Sequence, residues 1–334
     1  MPLLAVAAAL LVGAILLLIF GYDPIQAYAT MWHGIFGSQR NISEVLLKAT
    51  PVVFTGVAVA IAYSCGIWNI GAEGQFYLGA IGATYVGVYW GDLPGFALLL
   101  LVMFAGFIGG GLWAVIPGLL KTWINANEVV VTIMLNYIAL GISSYLVTGP
   151  MKEASGYFPQ TDMIADAARL PRIWLPTRLH VGVILAVILA ILVTILLYRT
   201  PLGFEIRTIG SNRNAARFAG MPVKRTIIIA MLLSGGSAGL GGAVEIAGLT
   251  GRLFAHISPG YGFDGIAVSL IVNNNPLGTI FSGLLFGGLR AGSEIMQISA
   301  GIPSVLIQII QGMTIAFVIA FGVYNILQTQ QQKI

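Results

Sequence analysis

Side chains that could bind a solute or an ion are concentrated in one polar segment of an otherwise apolar chain. Residues 65–76 read CGIWNIGAEGQF and place Asn69, Glu73 and Gln75 among glycines between two apolar runs. Glycines permit an unwound backbone, which at membrane depth is stable only against protein or a water-filled cavity. A carboxylate at that depth also needs a cavity or a partner. The three side chains are therefore candidates for lining a solute path, the alternative being a tight turn in which Glu73 stabilises the N-terminus of the next helix.

A second polar interruption occurs in the C-terminal half. Residues 258–265 read SPGYGFDG and include Asp264, and residues 273–276 read NNNP and include Asn273 and Asn274. Only a short apolar segment separates the two breaks. Interrupted hydrophobic segments in both halves indicate the binding region of a transporter. An ordinary loop with Asn and Pro turn chemistry is the alternative.

The motifs of nucleotide hydrolysis and of zinc hydrolases do not occur in the sequence. It contains neither G-x-x-x-x-G-K-[ST] nor H-E-x-x-H, and its three histidines are widely separated. We therefore expect no metal site, no cofactor bound by this chain and no enzymatic activity of its own. If the protein moves a solute against a gradient, the energy comes from a partner or from a coupled ion.

Glycines cluster inside the apolar segments at helical spacing. Residues 235–239 read GGSAG, and Gly283, Gly287 and Gly288 lie about one turn apart. Small faces let helices approach closely in lipid, so these residues predict helix packing. The alternative is a nucleophile elbow with Ser237 as nucleophile and His256 as base, which would require a preceding strand.

The elements that position these residues are membrane helices. Of the 334 residues, 57% are hydrophobic and only 8% are charged, whereas soluble domains carry about 25% charged residues. Apolar runs of about 20 residues match the hydrocarbon core of a bilayer. We predict an all-α polytopic membrane protein with about ten spans. They are 3–21, 45–66, 71–91, 94–118, 129–149, 180–198, 227–249, 258–274, 276–293 and 303–326, and each of the close pairs around 66–71 and 273–276 could be one broken element.

The distribution of charge predicts the orientation. Two longer polar loops remain, 150–179 and 199–226. The second sets six basic residues against one acid, Glu205, and its basic residues are Arg199, Arg207, Arg213, Arg217, Lys224 and Arg225. Each side of the membrane has eight basic residues in total. The basic residues on the side of this loop are concentrated in a shorter length of chain, and this higher density favours a cytoplasmic position for the loop. An even number of spans then places both termini in the cytoplasm. Basic residues that fix the orientation in the membrane also explain the net charge of +4 better than nucleic-acid binding does.

The basic loop contains the signals of a short helix. Ser211 or Asn212 can cap its N-terminus, and Gly220 and Pro222 can end it. Phe218 would be an apolar side chain among basic neighbours. Such a helix on the inner face of a membrane suits docking to a soluble partner, and a solvated surface turn is the alternative.

Four motifs together resemble the permease family of ATP-binding cassette (ABC) importers for simple sugars, nucleosides and branched-chain amino acids. They read WNIGAEGQ at 68–75, NEVV at 127–130, GSNRNAA at 210–216 and GFDGIAV at 262–268. The resemblance extends from about residue 49 to 312 and is closest to the nucleoside branch, whose partner is a lipoprotein resembling basic membrane protein.

The resemblance implies a fold, partners and coupling residues. It implies one permease domain over 1–334 with a ten-helix fold like that of the vitamin B12 importer, in a bacterial inner membrane. A second permease subunit, an ABC ATPase that uses the ATP, and a binding lipoprotein or periplasmic protein would complete the importer. The ATPase-coupling residues would be Gly210, Asn212, Ala215, Ala216, Phe218 and Gly220.

Two functions follow for this chain. The first is a permease subunit that translocates a nucleoside or simple sugar delivered by a binding protein. The second is an ion-coupled secondary transporter of a small polar solute, with Glu73 or Asp264 as the ion site.

Overall fold

The chain is all-helical in the part that the computed structural model describes, which comprises residues 2–154, 156–303 and eight positions between 305 and 317. Within these residues there are two isolated β-bridges, and no β-strand is present. The twelve α-helices of this part are α1 (Pro2–Ile19), α2 (Pro24–Phe36), α3 (Gln39–Ser64), α4 (Ala72–Tyr89), α5 (Gly95–Ile124), α6 (Glu128–Thr148), α7 (Gly182–Arg199), α8 (Pro201–Ser211), α9 (Arg213–Phe218), α10 (Val223–Glu245), α11 (Tyr261–Ile271) and α12 (Gly278–Ala300).

Among the described residues, five helices are long and apolar enough to cross a membrane: α3, α5, α6, α7, and α10 with the π-helical turn that follows it. Each coincides with a predicted span, and the chain is a multi-pass membrane protein. The predicted spans 3–21, 71–91, 258–274 and 276–293 also correspond to helices, although α11 has only 11 residues. The two close pairs are separate helices, and the predicted span 303–326 lies largely outside the described residues.

The long helices alternate in direction between two ends of the molecule. At one end, which we call the basic end, the C-terminus of α3 meets residues 210–213, and Lys121 of α5 pairs with Glu128 of α6 at 2.8 Å. At the other, which we call the loop end, residues 149–154 and 156–181 cover the helix termini. There the backbone of Leu170 donates a hydrogen bond to Ala247, which follows α10.

Glycine contacts hold α4, α5 and α10 together. The backbone of Gly239 in α10 lies so close to Gly106 and Gly110 in α5 that a Cβ atom at residue 239 would collide with the Gly106 carbonyl. Gly79 of α4 packs on the same residue. Gly283 and Gly287 of α12 pack against α3 in the same way, so the predicted small-residue packing is confirmed.

The chain re-enters the helix bundle before α4. After α3 ends at Ser64, Gly66 lies beside Gly210 at the basic end, but Asn69 lies beside Ser234. Ser234 is the twelfth residue of α10, so at about 1.5 Å per residue α4 begins roughly 16 Å inside that helix's end.

The start of α11 meets the start of α4. Residues 251–260 descend from the loop end, and the backbone of Gly262 packs directly on Ala72 and Glu73. Two broken segments, one from each half of the chain, therefore meet with their helix N-termini inside the bundle.

Candidate solute path and coupling segment

Asn69 and Gln75 form one buried hydrogen-bonded network at the N-terminus of α4. Asn69 Nδ2 donates to Gln75 Oε1 at 2.9 Å and to Ser234 Oγ at 2.8 Å, while Gln75 Nε2 donates back to Asn69 Oδ1 at 3.0 Å. Ser234 Oγ donates to the carbonyl of Ala58 in α3. The network ties α4 to α3 and α10 and stabilises the unwound backbone before α4.

Asn136 of α6 completes this support, and the sequence reasoning missed it. Its Oδ1 accepts from the Gly74 N–H at 2.8 Å, and its Nδ2 donates to the carbonyl of Ile70 at 2.9 Å. A polar residue in the middle of an apolar span was the available signal, since such residues need a partner in the protein.

Glu73 joins the two broken segments. Its Oε2 accepts from the backbone N–H of Gly262 at 2.6 Å. The carboxylate lies at the N-terminus of α11, where the helix dipole stabilises negative charge. Glu73 also lies in the first turn of α4, as the structural alternative predicted, so the one carboxylate lies at the N-termini of both α4 and α11.

Asp264 forms a buried ion pair beside this junction. Its Oδ2 accepts from Arg290 Nε at 2.5 Å, and Arg290 Nη2 also donates to the carbonyl of Pro259. The guanidinium lies over the ring of Tyr261, 5.2 Å from its centre. Arg290, which comes from α12, was missed because nothing local connects it with Asp264.

Asn273 and Asn274 are not brought together with Glu73 and Asp264. They follow the C-terminus of α11, whose 11 residues separate them from the junction by roughly 15 Å at about 1.5 Å per residue. Both have left-handed backbones, with φ of 51° and 57°. Asn274 Oδ1 accepts from Ser269 Oγ at 2.9 Å, and Asn273 is exposed. These are the contacts of the turn chemistry given as the alternative.

The predicted short helix of the basic loop is present as α9. Asn212 is its N-cap, since Oδ1 accepts from the N–H groups of Asn214 and Ala215. Gly220 follows it with φ +77°, and its N–H donates to the Arg217 carbonyl. Ala216 is buried and Ala215 is exposed. Phe218 is 92% exposed, so α9 presents an apolar side chain at the basic end.

Residues 210–213, at the end of α8 and the start of α9, are in direct contact with the turn that follows α3. Gly210 packs on Ser64 and Gly66 so closely that a Cβ atom at 210 would collide with the Ser64 carbonyl. Arg213 Nη2 donates to the Gly66 carbonyl at 3.0 Å. A movement of α9 would therefore be transmitted to the turn that leads to Asn69 and Glu73.

The residues of the alternative hydrolase site do not form one. Ser237 lies inside α10, and its hydroxyl donates to the Leu233 carbonyl four residues earlier. His256 is exposed in the loop before α11. The strand that a nucleophile elbow requires is replaced by a helix, so this alternative is wrong. Within the described residues, no group of three His, Cys, Asp or Glu could hold a metal ion.

Comparison with known proteins gives relatives over nearly the whole chain. It is 38% identical to the glucose ABC transporter permease protein TsgB13 of Haloferax volcanii, over 95% of this chain and 86% of that protein. It is 37% identical to the guanosine ABC transporter permease protein NupP of Bacillus subtilis, over 95% and 92%. Identity to the nucleoside ABC transporter permease protein NupB of Lactococcus lactis subsp. cremoris is 34%, over 95% and 89%.

The family described as the permease component of branched-chain amino acid transport systems matches residues 41–319. This range includes both broken segments and α9. With a family match over most of its length and three relatives above 30% identity, the chain belongs to this family of ABC transporter permeases.

Proposed function

We propose that the chain is the membrane-spanning permease subunit of an ABC importer, and that it translocates a nucleoside or simple sugar delivered by a binding protein. Hydrolysis of ATP belongs to a separate ATPase subunit. The importer contains a second permease subunit, related or identical, and lies in a bacterial inner membrane. Both termini of this chain lie in the cytoplasm. Residues 1–334 form a single permease domain with the ten-helix fold of the vitamin B12 importer.

The observation that carries this proposal is the contact of α9 with the turn before α4. An exposed Phe218 on a capped helix is a docking element, and Gly210 and Arg213 connect that element to Gly66. Closure of the ATPase pair would move α9, and the rigid contact would shift the N-terminus of α4. A two-state gate responds to a partner in this way when the partner binds one state better.

Support for the solute comes from the relatives and from the site. The names of the three relatives specify glucose, guanosine and nucleosides, which are small, uncharged and rich in hydroxyl groups. Of the six side chains proposed to line the path, Glu73 and Asp264 have the strongest support, because they lie where the N-termini of two interrupted helices meet. Asn69, Gln75, Asn273 and Asn274 are proposed to line it toward the basic end.

The ion-coupled alternative has less support from these contacts. Glu73 already accepts a hydrogen bond from Gly262, and Asp264 is paired with Arg290. A coupling ion at either carboxylate would have to displace that partner.

The test is uptake into proteoliposomes that contain the permease together with the ABC ATPase and the binding protein with which it assembles. Labelled guanosine and labelled glucose are supplied outside, and ATP or a non-hydrolysable analogue is enclosed. We expect accumulation that requires hydrolysable ATP and is unchanged when ionophores collapse the ion gradients. Accumulation that ignores ATP and stops with the ionophores would identify an ion-coupled transporter instead.

A further inference from the structure

One face of α7 is apolar and exposed along the length of the helix. Five side chains form it at alternating spacings of four and three residues: Ile184, Ile188, Ile191, Ile195 and Tyr198. Side chains at these spacings lie on the same side of a helix. Because α7 is long and apolar enough to cross a membrane, this face is suited to contact with lipid acyl chains. Tyr198 lies in the last turn, at the basic end, and a tyrosine at the end of a membrane helix lies at the level of the lipid headgroups.

The guanidinium of Arg207 lies over the ring of Tyr198. Its Cζ atom is 5.1 Å from the ring centre, and its Nε donates a hydrogen bond to the Leu197 carbonyl at 2.9 Å. Both contacts are with the last turn of α7, where the helix dipole favours a positive charge. A guanidinium has five N–H groups, and no described residue accepts a hydrogen bond from the four on Nη1 and Nη2. The cation is therefore fixed in position while its terminal nitrogens can still bind an acceptor.

The helix that carries Arg207, α8, packs tightly across the end of α7. Gly203 of α8 lies so close to α7 that a Cβ atom there would collide with the Leu196 carbonyl. On the other side of α8, Phe204 and Arg207 are exposed and three residues apart, so they share one face. The helix therefore presents a phenyl ring and a cation together at the end of a membrane-spanning helix, as amphipathic helices at a membrane surface do.

The charge around Arg207 is positive and uncompensated. Arg199, which follows Tyr198, is also exposed, and neither arginine forms an ion pair with a described residue. The one acid of the loop, Glu205, lies two residues before Arg207 on α8 and therefore faces another side. Its carboxylate accepts a hydrogen bond from Thr226 Oγ1 at 2.8 Å. Two cations at the end of a lipid-facing helix attract anionic headgroups.

We propose that Arg199 and Arg207, together with Tyr198 and Phe204, bind the headgroup phosphate of an anionic phospholipid. The planar guanidinium of Arg207 presents paired N–H groups to two phosphate oxygens, while the acyl chains lie along the isoleucines of α7. Arg199 adds a second positive charge, which repels the cationic group of a zwitterionic headgroup and so selects a net negative one. The site requires that the chain spans a membrane and not that it works with an ATPase, so it is independent of the proposed function.

Titration of the purified full-length chain in uncharged detergent tests this site, with bound lipids counted by native mass spectrometry. We expect phosphatidylglycerol to bind at least about fivefold more tightly than phosphatidylcholine. Arg207→Gln should lower the affinity for phosphatidylglycerol about tenfold, since a charge-assisted hydrogen bond is lost. Arg217→Gln removes an exposed arginine of the same loop, on α9, and should bind both lipids as the unmodified chain does.

A second variant separates binding from folding, because Arg207 also holds the end of α7. The Arg199 guanidinium forms no hydrogen bond or ion pair with a described residue. Arg199→Gln should therefore leave the free energy of unfolding unchanged and lower the preference for phosphatidylglycerol about fivefold. Millimolar inorganic phosphate offers the same oxygens without acyl chains and should not displace the lipid. Displacement would identify a site for a soluble anion and overturn the proposal.

A second copy of the chain is the other occupant that could cover this face of α7. Ile191→Cys places a thiol on the face, and the native Cys65 is buried. We expect no cross-linked dimer when membranes containing this variant are oxidised, and a dimer would show that the face is a subunit interface. Equal affinity of the unmodified chain for the two lipids, or equal losses from Arg207→Gln and Arg217→Gln, would also overturn the lipid site. None of these outcomes changes the ATP dependence of uptake that tests the proposed function.

Discussion

His180 is a residue whose charge state is set by its surroundings at the loop end. It lies in the loop before α7, is only 2% exposed, and accepts a hydrogen bond at Nδ1 from the Gly182 N–H at 3.1 Å. Its ring also fills the space beside Gly248. Burial lowers the pKa of His180 from 6.5 to about 4, because the protonated ring would lose its hydration.

This shift predicts acid sensitivity of the fold. The unfolded chain binds a proton at His180 as the pH falls through about 6.5, while the folded protein does so only near pH 4. The free energy of unfolding should therefore decrease as the pH falls from about 6.5 to 4, by up to about 3.4 kcal/mol. Denaturation of the purified protein in detergent at a series of pH values measures this.

The variant His180→Asn removes the titrating group and keeps an acceptor near the position of Nδ1. Its free energy of unfolding should depend less on pH over the same window. His256→Gln changes an exposed histidine and is the matched control. If the control lost as much pH dependence as His180→Asn, burial of His180 would not be the cause.

Residue type and spacing predicted the polar groups of the site but not their partners. Asn69, Glu73 and Gln75 were identifiable because they interrupt apolar runs. Asn69 contacts Ser234 and Glu73 contacts Gly262 across 165 and 189 positions in sequence, and Asn136 binds the backbone of Gly74 across 62 positions. No local pattern encodes such distances. The distinction between a path-lining amide and an internally satisfied one depends on those partners.

At the scale of elements, the ends of α9 are determined by local sequence signals. The helix exposes an apolar side chain that makes no contribution to the packed core. Phe218 is 92% exposed and lies among basic residues. An aromatic side chain in this position is typical of the anchor residues of protein interfaces.

Phe218→Ala should therefore weaken assembly with the ATPase and leave the permease itself stable. We expect at least about a tenfold loss of ATPase affinity, as for an aromatic anchor, and a change in the free energy of unfolding within about 0.5 kcal/mol. Co-purification or titration with the partner ATPase gives the first quantity, and denaturation gives the second. Phe204→Ala on α8 removes another exposed phenyl ring at the same end and should retain normal affinity. Equal losses from both variants would show that docking is not specific to α9.

Helix boundaries were predictable where a cap or a breaker marks them. Asn212 and Gly220 delimit α9 as expected. The helices α2 and α8 were missed although each has a cap followed by proline, Asp23-Pro24 and Thr200-Pro201. Because polar and apolar residues are interspersed in them, neither helix contains an apolar run long enough to span a membrane, so hydrophobic length alone did not predict them.

At the scale of the whole molecule, composition predicted the class, and close packing of glycines determines how the helices assemble. The excess of apolar over charged residues requires lipid as the outer solvent. Which glycine faces pair was not predictable, because the same small-residue spacing occurs in several helices. In the structure α4, α5 and α10 meet through Gly79, Gly106, Gly110 and Gly239.

Gly239→Ala should destabilise this three-helix contact, whereas Gly141→Ala should not. A methyl group at 239 would collide with the Gly106 carbonyl, which belongs to backbone and cannot rotate away. Overpacking of this kind costs about 1–3 kcal/mol. Gly141 is also helical but has open space around its Cα, so alanine there should be neutral or stabilise by up to about 1 kcal/mol. Unfolding of both variants in mixed detergent micelles compares the two values directly. Equal stabilities would mean that α5 and α10 can separate without cost, and the N-terminus of α4 would then lack the fixed support through which α9 is proposed to move it.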